Sequence, residues 1–205
     1  MIDTTFLNEL STKAPTPGGG GASAYAGALA AALSSMVGNL TTGKKTYAAV
    51  EDQVQERLAV LEDMRAKLVS LIDADAEAFK PLAASYGMPS GTEEEKAAKN
   101  AALQAALTDA CAVPLQIMEV CAAVIDQADF LARNGSKLAV SDAGASAILA
   151  RAATRAASLN VFINTGSMAD REKAAAFEQK ADELIAVADK KGQLVADFVM
   201  AAIRK

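Results

Sequence analysis

The chain contains no histidine. That excludes imidazole-based zinc sites and the Ser-His and Cys-His arrangements of nucleophilic catalysis, and leaves any acid–base work to Asp, Glu, Lys, Tyr or Cys. Cysteine is nearly missing too: Cys111 and Cys121 are the only two, ten apart in one expected helix, too far to join each other in a disulfide, and they read as packing residues rather than a metal box. There is no excess of positive charge. Twenty Lys and Arg against 25 Asp and Glu give a net charge of -5 and a pI near 4.9, which argues against nucleic acid or an anionic membrane as partner. Met1-Ile2-Asp3-Thr4-Thr5 lacks the basic and apolar regions of a signal peptide, so a cytoplasmic location is expected. The apolar run from Ala22 to Val37 is too short, and too rich in Ala and Ser, to read as a membrane span. An alternating strand pattern is likewise absent.

What is present is helix after helix, in 205 residues that can bury one sizeable core. The expected fold is an all-α, multi-helix bundle with long helices, forming a single domain over residues 1–205. Its most unusual stretch is Ala14-Pro15-Thr16-Pro17-Gly18-Gly19-Gly20-Gly21-Ala22-Ser23, which brings the chain in extended and turns it on glycine into a helix expected from about Ala22 to Leu40. A glycine loop at a helix N-terminus offers unpaired N–H groups to an anion, and equally serves as a tight turn for close packing. In the helix itself, Ala24, Gly27, Ala28, Ala31 and Ser35 leave small side chains on every face, as expected inside a bundle or between subunits.

Gly38 to Lys45 imitates a phosphate-binding loop in its glycine and lysine spacing, but Lys45 stands where Ser or Thr is needed and a helix precedes it, so nucleotide binding is rejected. From about Thr46 to Tyr86 an apolar stripe runs through Leu58, Leu61, Leu68, Ile72, Phe79 and Leu82, and Asp75 falls on it. A carboxylate on such a seam is either paired structurally or functional. Pro81 is expected to kink or interrupt the last turns. Thr92 and Glu95 form a capping box for a helix to about Arg133, which Pro114 should kink near Ala110. Ser141 or Asp142 reads as the N-cap of a helix to about Thr165, where Asn160 and Asn164 share a face and need partners. Gly166 closes that helix, and Ser167 with Asp170 opens the last one.

Taken together, Pro15 to Gly20, Gly27-Ala28-Leu29, Asn39-Leu40-Thr41 with Gly43-Lys44-Lys45, Asp75 with Phe79, Ser141 to Gly144, and Asn160-Val161 with Asn164 resemble the cyclodeaminase/cyclohydrolase family of folate enzymes. The resemblance spans nearly the whole chain, with Gly21 where a serine is frequent. It implies a homodimer and a tetrahydrofolate one-carbon derivative as substrate; the Ala22 to Leu40 helix, whose small residues leave no polar face for water, is expected in the dimer interface. The activity expected first is 5-formimino-tetrahydrofolate cyclodeaminase, yielding 5,10-methenyl-tetrahydrofolate and ammonia. The alternative is 5,10-methenyltetrahydrofolate cyclohydrolase, yielding 10-formyl-tetrahydrofolate, and a non-catalytic oligomerising bundle is the reading from another class. The implied catalytic set is Asp75, Asp142 and Lys44, the aspartates for proton transfer and Lys44 for the folate tail. Pro17, Gly18, Gly19, Gly20, Asn39, Phe79, Ser141, Asn160 and Asn164 are the expected substrate-binding residues. No metal and no cofactor beyond the folate itself are expected.

Overall fold

The computed structural model describes residues 4–204. Among these the elements are α1 (Thr5–Leu10), α2 (Gly19–Asn39), a 3₁₀ turn (Lys45–Val50), α3 (Glu51–Tyr86), α4 (Glu93–Asn134), a short 3₁₀ turn (Lys137–Ala139), α5 (Val140–Thr165) and α6 (Arg171–Ile203), with no strand. The expected all-α bundle is what the chain forms. Short links make α3, α4, α5 and α6 successive antiparallel neighbours. Helix α4, about 60 Å long at 1.5 Å per residue, packs against α2, α3, α5 and α6, and α2 lies against α3, α4 and α5.

The helices begin and end for local reasons, several of them readable beforehand. The Thr92 hydroxyl accepts the Glu95 N–H at 3.2 Å while the Glu95 carboxylate accepts the Thr92 N–H at 3.1 Å, the expected capping box at the head of α4. Other expectations are corrected. Helix α2 starts at Gly19, three residues early, because its first turn is packed against α3 and tertiary contact outweighs the poor helix propensity of glycine. Residues 45–50 are 3₁₀, so α3 opens at Glu51, and it runs unbroken past Pro81 to Tyr86. Neither Ser141 nor Asp142 caps α5: the 3₁₀ turn delivers the chain one residue ahead, and both lie in the first helical turn. Asp170 alone caps α6, accepting the Lys173 N–H at 2.9 Å. Gly43 adopts a φ of 73°, which glycine alone adopts freely, and its N–H donates to Glu51 Oε2 at 2.9 Å, so the loop that imitates a phosphate cradle is a local turn.

Small side chains set the spacing of α2 and α5. Ala24, Ala28, Ala31, Ala147, Ala150 and Ala157 are buried between the elements, and the two helices are tied by hydroxyls. Ser146 Oγ donates to the Ala30 carbonyl at 2.7 Å, so at 2.8 Å it must accept from Ser34 Oγ. A Cβ on Gly27 would stand 2.5 Å from Cys121 Sγ and 3.2 Å from a Leu68 methyl, so α2 meets α3 and α4 only because that position is bare. Burial pushes the Cys111 and Cys121 thiols up to about 11 and 12, so both are protonated, inert packing groups.

By length and composition α4 could cross a membrane, but half of its most apolar window is buried against the other helices. Its apolar character serves the core. Gly27→Ala is expected to overpack this junction and lower stability by about 1–3 kcal/mol, with Cys121→Ala in the same chain recovering part of the loss. Urea melts of the single and double variants check this.

Candidate active site

Asp75 sits one turn before Phe79 on α3, facing the N-terminus of α2. Its Oδ2 accepts the Gly21 N–H at 3.0 Å, and a Cβ on Gly20 would fall 2.1 Å from its Oδ1. The space a side chain would fill at position 20 is held by the carboxylate. The glycine run therefore does not cradle an external anion through all its amides; one of them holds the chain's own acid. Two effects then oppose each other. Burial raises the Asp75 pKa above its ordinary 3.8, while the Gly21 N–H lowers it, and burial is the larger. The result is a half-buried carboxylate that is a stronger base than an exposed aspartate.

Above this carboxylate opens a cleft of about 200 Å³ lined by Pro15, Thr16, Gly18, Gly19, Asp75, Ala78, Phe79, Ala110, Pro114, Asn160, Ile163 and Asn164. Five of the expected site residues, Gly18, Gly19, Phe79, Asn160 and Asn164, thus meet Asp75, and Gly20 lies behind its carboxylate. Pro17 instead lines the neighbouring groove beside Phe6 and Ile72. The kink-prone Pro114 supplies a contact that sequence reasoning treated as structural. Asn164 Nδ2 donates to the Ala110 carbonyl at 2.8 Å, the carbonyl four residues before the proline. Asn160, one turn earlier, has only a 3.4 Å bond to its own helix. Thr16, Ala78, Ala110 and Ile163 were not anticipated; only their spacing from Asp75 and Asn160 on known helical faces could have suggested them.

The sequence profile of the formiminotransferase-cyclodeaminase family matches residues 3–183. The chain belongs to this family. Methenyltetrahydrofolate cyclohydrolase of Methylorubrum extorquens is 47% identical over 167 residues, covering 82% of this chain and 80% of its own. Formimidoyltransferase-cyclodeaminase of Sus scrofa is 33% identical over 193 residues, 94% of this chain; our chain spans only 36% of that relative's length. The crystal structure of formiminotetrahydrofolate cyclodeaminase from Thermotoga maritima matches with a TM-score of 0.88 and 29% identity, over 99% of this chain and 98% of that one.

The family motifs nevertheless divide into two groups within one chain. Asn39, Lys44, Ser141 and Asp142 lie at the opposite end of the bundle, where Thr41 Oγ1 accepts the Ser136 N–H at 2.8 Å and Tyr47 Oη accepts the Lys137 N–H at 3.0 Å. Asn160 and Asp142 share α5 and are separated by about 27 Å along it. The expectation that Asp75 and Asp142 serve one site is therefore not met inside a single chain of this cyclodeaminase-family protein. Among the described residues no three His, Cys, Asp or Glu side chains gather in a metal-binding group.

Asp75→Asn isolates the carboxylate's charge from its shape, since the amide oxygen still accepts the Gly21 N–H. Activity should fall about 10² or more, the usual contribution of a positioned acid–base group. Stability should move the other way. With a folded pKa raised above its unfolded value, the folded state is favoured while Asp75 is protonated, and that advantage is lost as pH rises through the folded pKa. At neutral pH the variant should melt at or above the parent's temperature, and at pH 3 the gain should vanish. Initial rates and melting curves of the same preparations check both.

Proposed function

We propose that this protein is a cytoplasmic 5,10-methenyltetrahydrofolate cyclohydrolase, converting its substrate and water to 10-formyl-tetrahydrofolate and a proton. The ordering of the two family activities expected from sequence is reversed. What supports this choice is the 47% identity over 80% of the Methylorubrum cyclohydrolase, against 33% and 29% for the two cyclodeaminases compared above. The Asp75 carboxylate suits the chemistry, because the methenyl group is part of a cationic amidinium and a half-buried anion beside it is attractive. Asp75 takes a proton from water as the water oxygen bonds to the methenyl carbon. The C–N5 bond of the resulting carbinolamine then breaks, N5 gains a proton, and the second proton of water is released, leaving the formyl group on N10. The folate is the only organic partner this scheme calls on.

Purified protein offered 5,10-methenyl-tetrahydrofolate should hydrolyse it faster than buffer does, while releasing no ammonia from 5-formimino-tetrahydrofolate. Ammonia release without methenyl hydrolysis would restore the cyclodeaminase reading, and inertness towards both would leave the non-catalytic bundle. The rate should fall at acid pH as Asp75 is protonated, through a pKa above 3.8.

The two separated groups of residues support a homodimer with sites shared between copies. Ligand clefts are commonly about 300–1,000 Å³, so this one is undersized for a whole folate. From its rim exposed apolar side chains lead away: Ile163 is 73% exposed and Leu159 68%, continuing to Ile148 on α5, with Leu29, Met36 and Leu40 exposed on α2. Water against so many apolar side chains is unfavourable, and a two-fold contact along this face would bring one copy's Lys44 and Asp142 to the other's Asp75. Light scattering should give a dimer. Inactive Asp75→Asn and Lys44→Glu chains, mixed after unfolding, should regain about a quarter of parental activity, because half the dimers then carry one intact site. Sites confined to single chains would regain none.

A further inference from the structure

Pro114 is buried in the middle of α4, where a proline is costly, and it lines the cleft beside Asn164. Proline has no N–H, so the Ala110 carbonyl loses its partner within the helix. Ala110 is 5% exposed, and a carbonyl in that position must find another donor. The donor is Asn164 Nδ2, at 2.8 Å. A carbonyl accepts only from the NH₂ side of a carboxamide, so this bond fixes which way the Asn164 amide is turned and sends Oδ1 to the other side. Among the described residues no donor reaches that Oδ1. Asn160 faces the same cleft with a 3.4 Å bond to its own helix, so one carboxamide there is locked and the other is loosely held.

We propose that Pro114 is a positioning residue, whose missing N–H orients the Asn164 carboxamide so that Oδ1 presents a fixed acceptor to an N–H donor of the bound reduced pterin. This rests on the folate reading above. An acceptor turned before the ligand arrives loses no rotamer freedom on binding, which is a reason to keep a proline inside α4.

The test is a double-mutant cycle of Pro114→Ala and Asn164→Ala, with calorimetric binding of tetrahydrofolate and KM and kcat for 5,10-methenyl-tetrahydrofolate. Pro114→Ala gives α4 back its N–H, so it should fold and melt at or above the parent's temperature. It should weaken tetrahydrofolate binding and raise KM by about tenfold, a lost hydrogen bond, with kcat changed less than threefold. In the Asn164→Ala background it should do nothing further. Equal weakening in both backgrounds, or unchanged binding in the single variant, would overturn the proposal. A readout independent of folate is the Asn164 side-chain amide in ¹⁵N spectra: protected from exchange in the parent and released in Pro114→Ala. If the parent binds no tetrahydrofolate, the folate reading fails and the proposed pterin contact falls with it; the exchange result then decides only whether Pro114 sets the amide. An amide equally protected in both proteins would overturn the positioning role whatever the folate result.

Discussion

The seat of the Asp75 carboxylate against the first turn of α2 constrains more of this molecule than any other contact. It requires position 20 to be bare, since a Cβ there would stand 2.1 Å from Oδ1, and it requires the Gly21 N–H to be unpaired within α2, which is true only in a helix's first turn. Both conditions hold because α2 opens inside the glycine run rather than after it. The same contact decides the acid's strength. A carboxylate accepting one N–H at a positive helix end would ordinarily be acidified, yet burial by Phe79, the glycine turn and the facing helices outweighs it, and the pKa moves up.

Helix α2 carries that burden without a single charged residue. Apart from Val37 its buried residues are Ala, Gly and Ser, which let α3, α4 and α5 approach on several sides, and the Ser34 and Ser146 hydroxyls bond to each other between α2 and α5. Elsewhere ion pairs act as clamps on the outside. Arg155 and Arg151 hold Asp189 down to about 2, fastening α6 to α5 at the surface, while Arg57 and Arg133 lie over Phe130 and Phe198 at 3.9 Å and 4.5 Å. Such exposed pairs contribute little each, so the bundle's stability rests on the packed seams.

Much of this could be read in the sequence, and the misses are instructive. The stripe Leu61, Leu68, Ile72, Phe79 placed Asp75 towards the core, and Thr92 with Glu95 marked α4 because both signals are local and periodic. The start of α2 was missed because propensity alone argues against three glycines in a helix, whereas what holds them there is Asp75, more than fifty residues away. Ser141 and Asp142 were misread as caps because the 3₁₀ turn at Lys137–Ala139, which starts α5 ahead of them, has no composition signature. The distance between Asp142 and Asn160, by contrast, was available from the outset: both lie on one helix of known rise.

The two helix-interior prolines show why burial, rather than the residue itself, decides what a backbone lesion does. Each frees the carbonyl four residues earlier. Behind Pro81 that carbonyl belongs to Glu77, on an exposed stretch of α3 where water can supply the missing donor, and the helix continues with nothing else arranged around it. Behind Pro114 it belongs to Ala110, only 5% exposed beneath α5, and the Asn164 side chain supplies the donor. Asn164, on the facing turn of α5, carries an N–H donor at the end of a short side chain and reaches it. The proline in α4 is thereby coupled to a side chain fifty positions later, a link that no local pattern in either helix records.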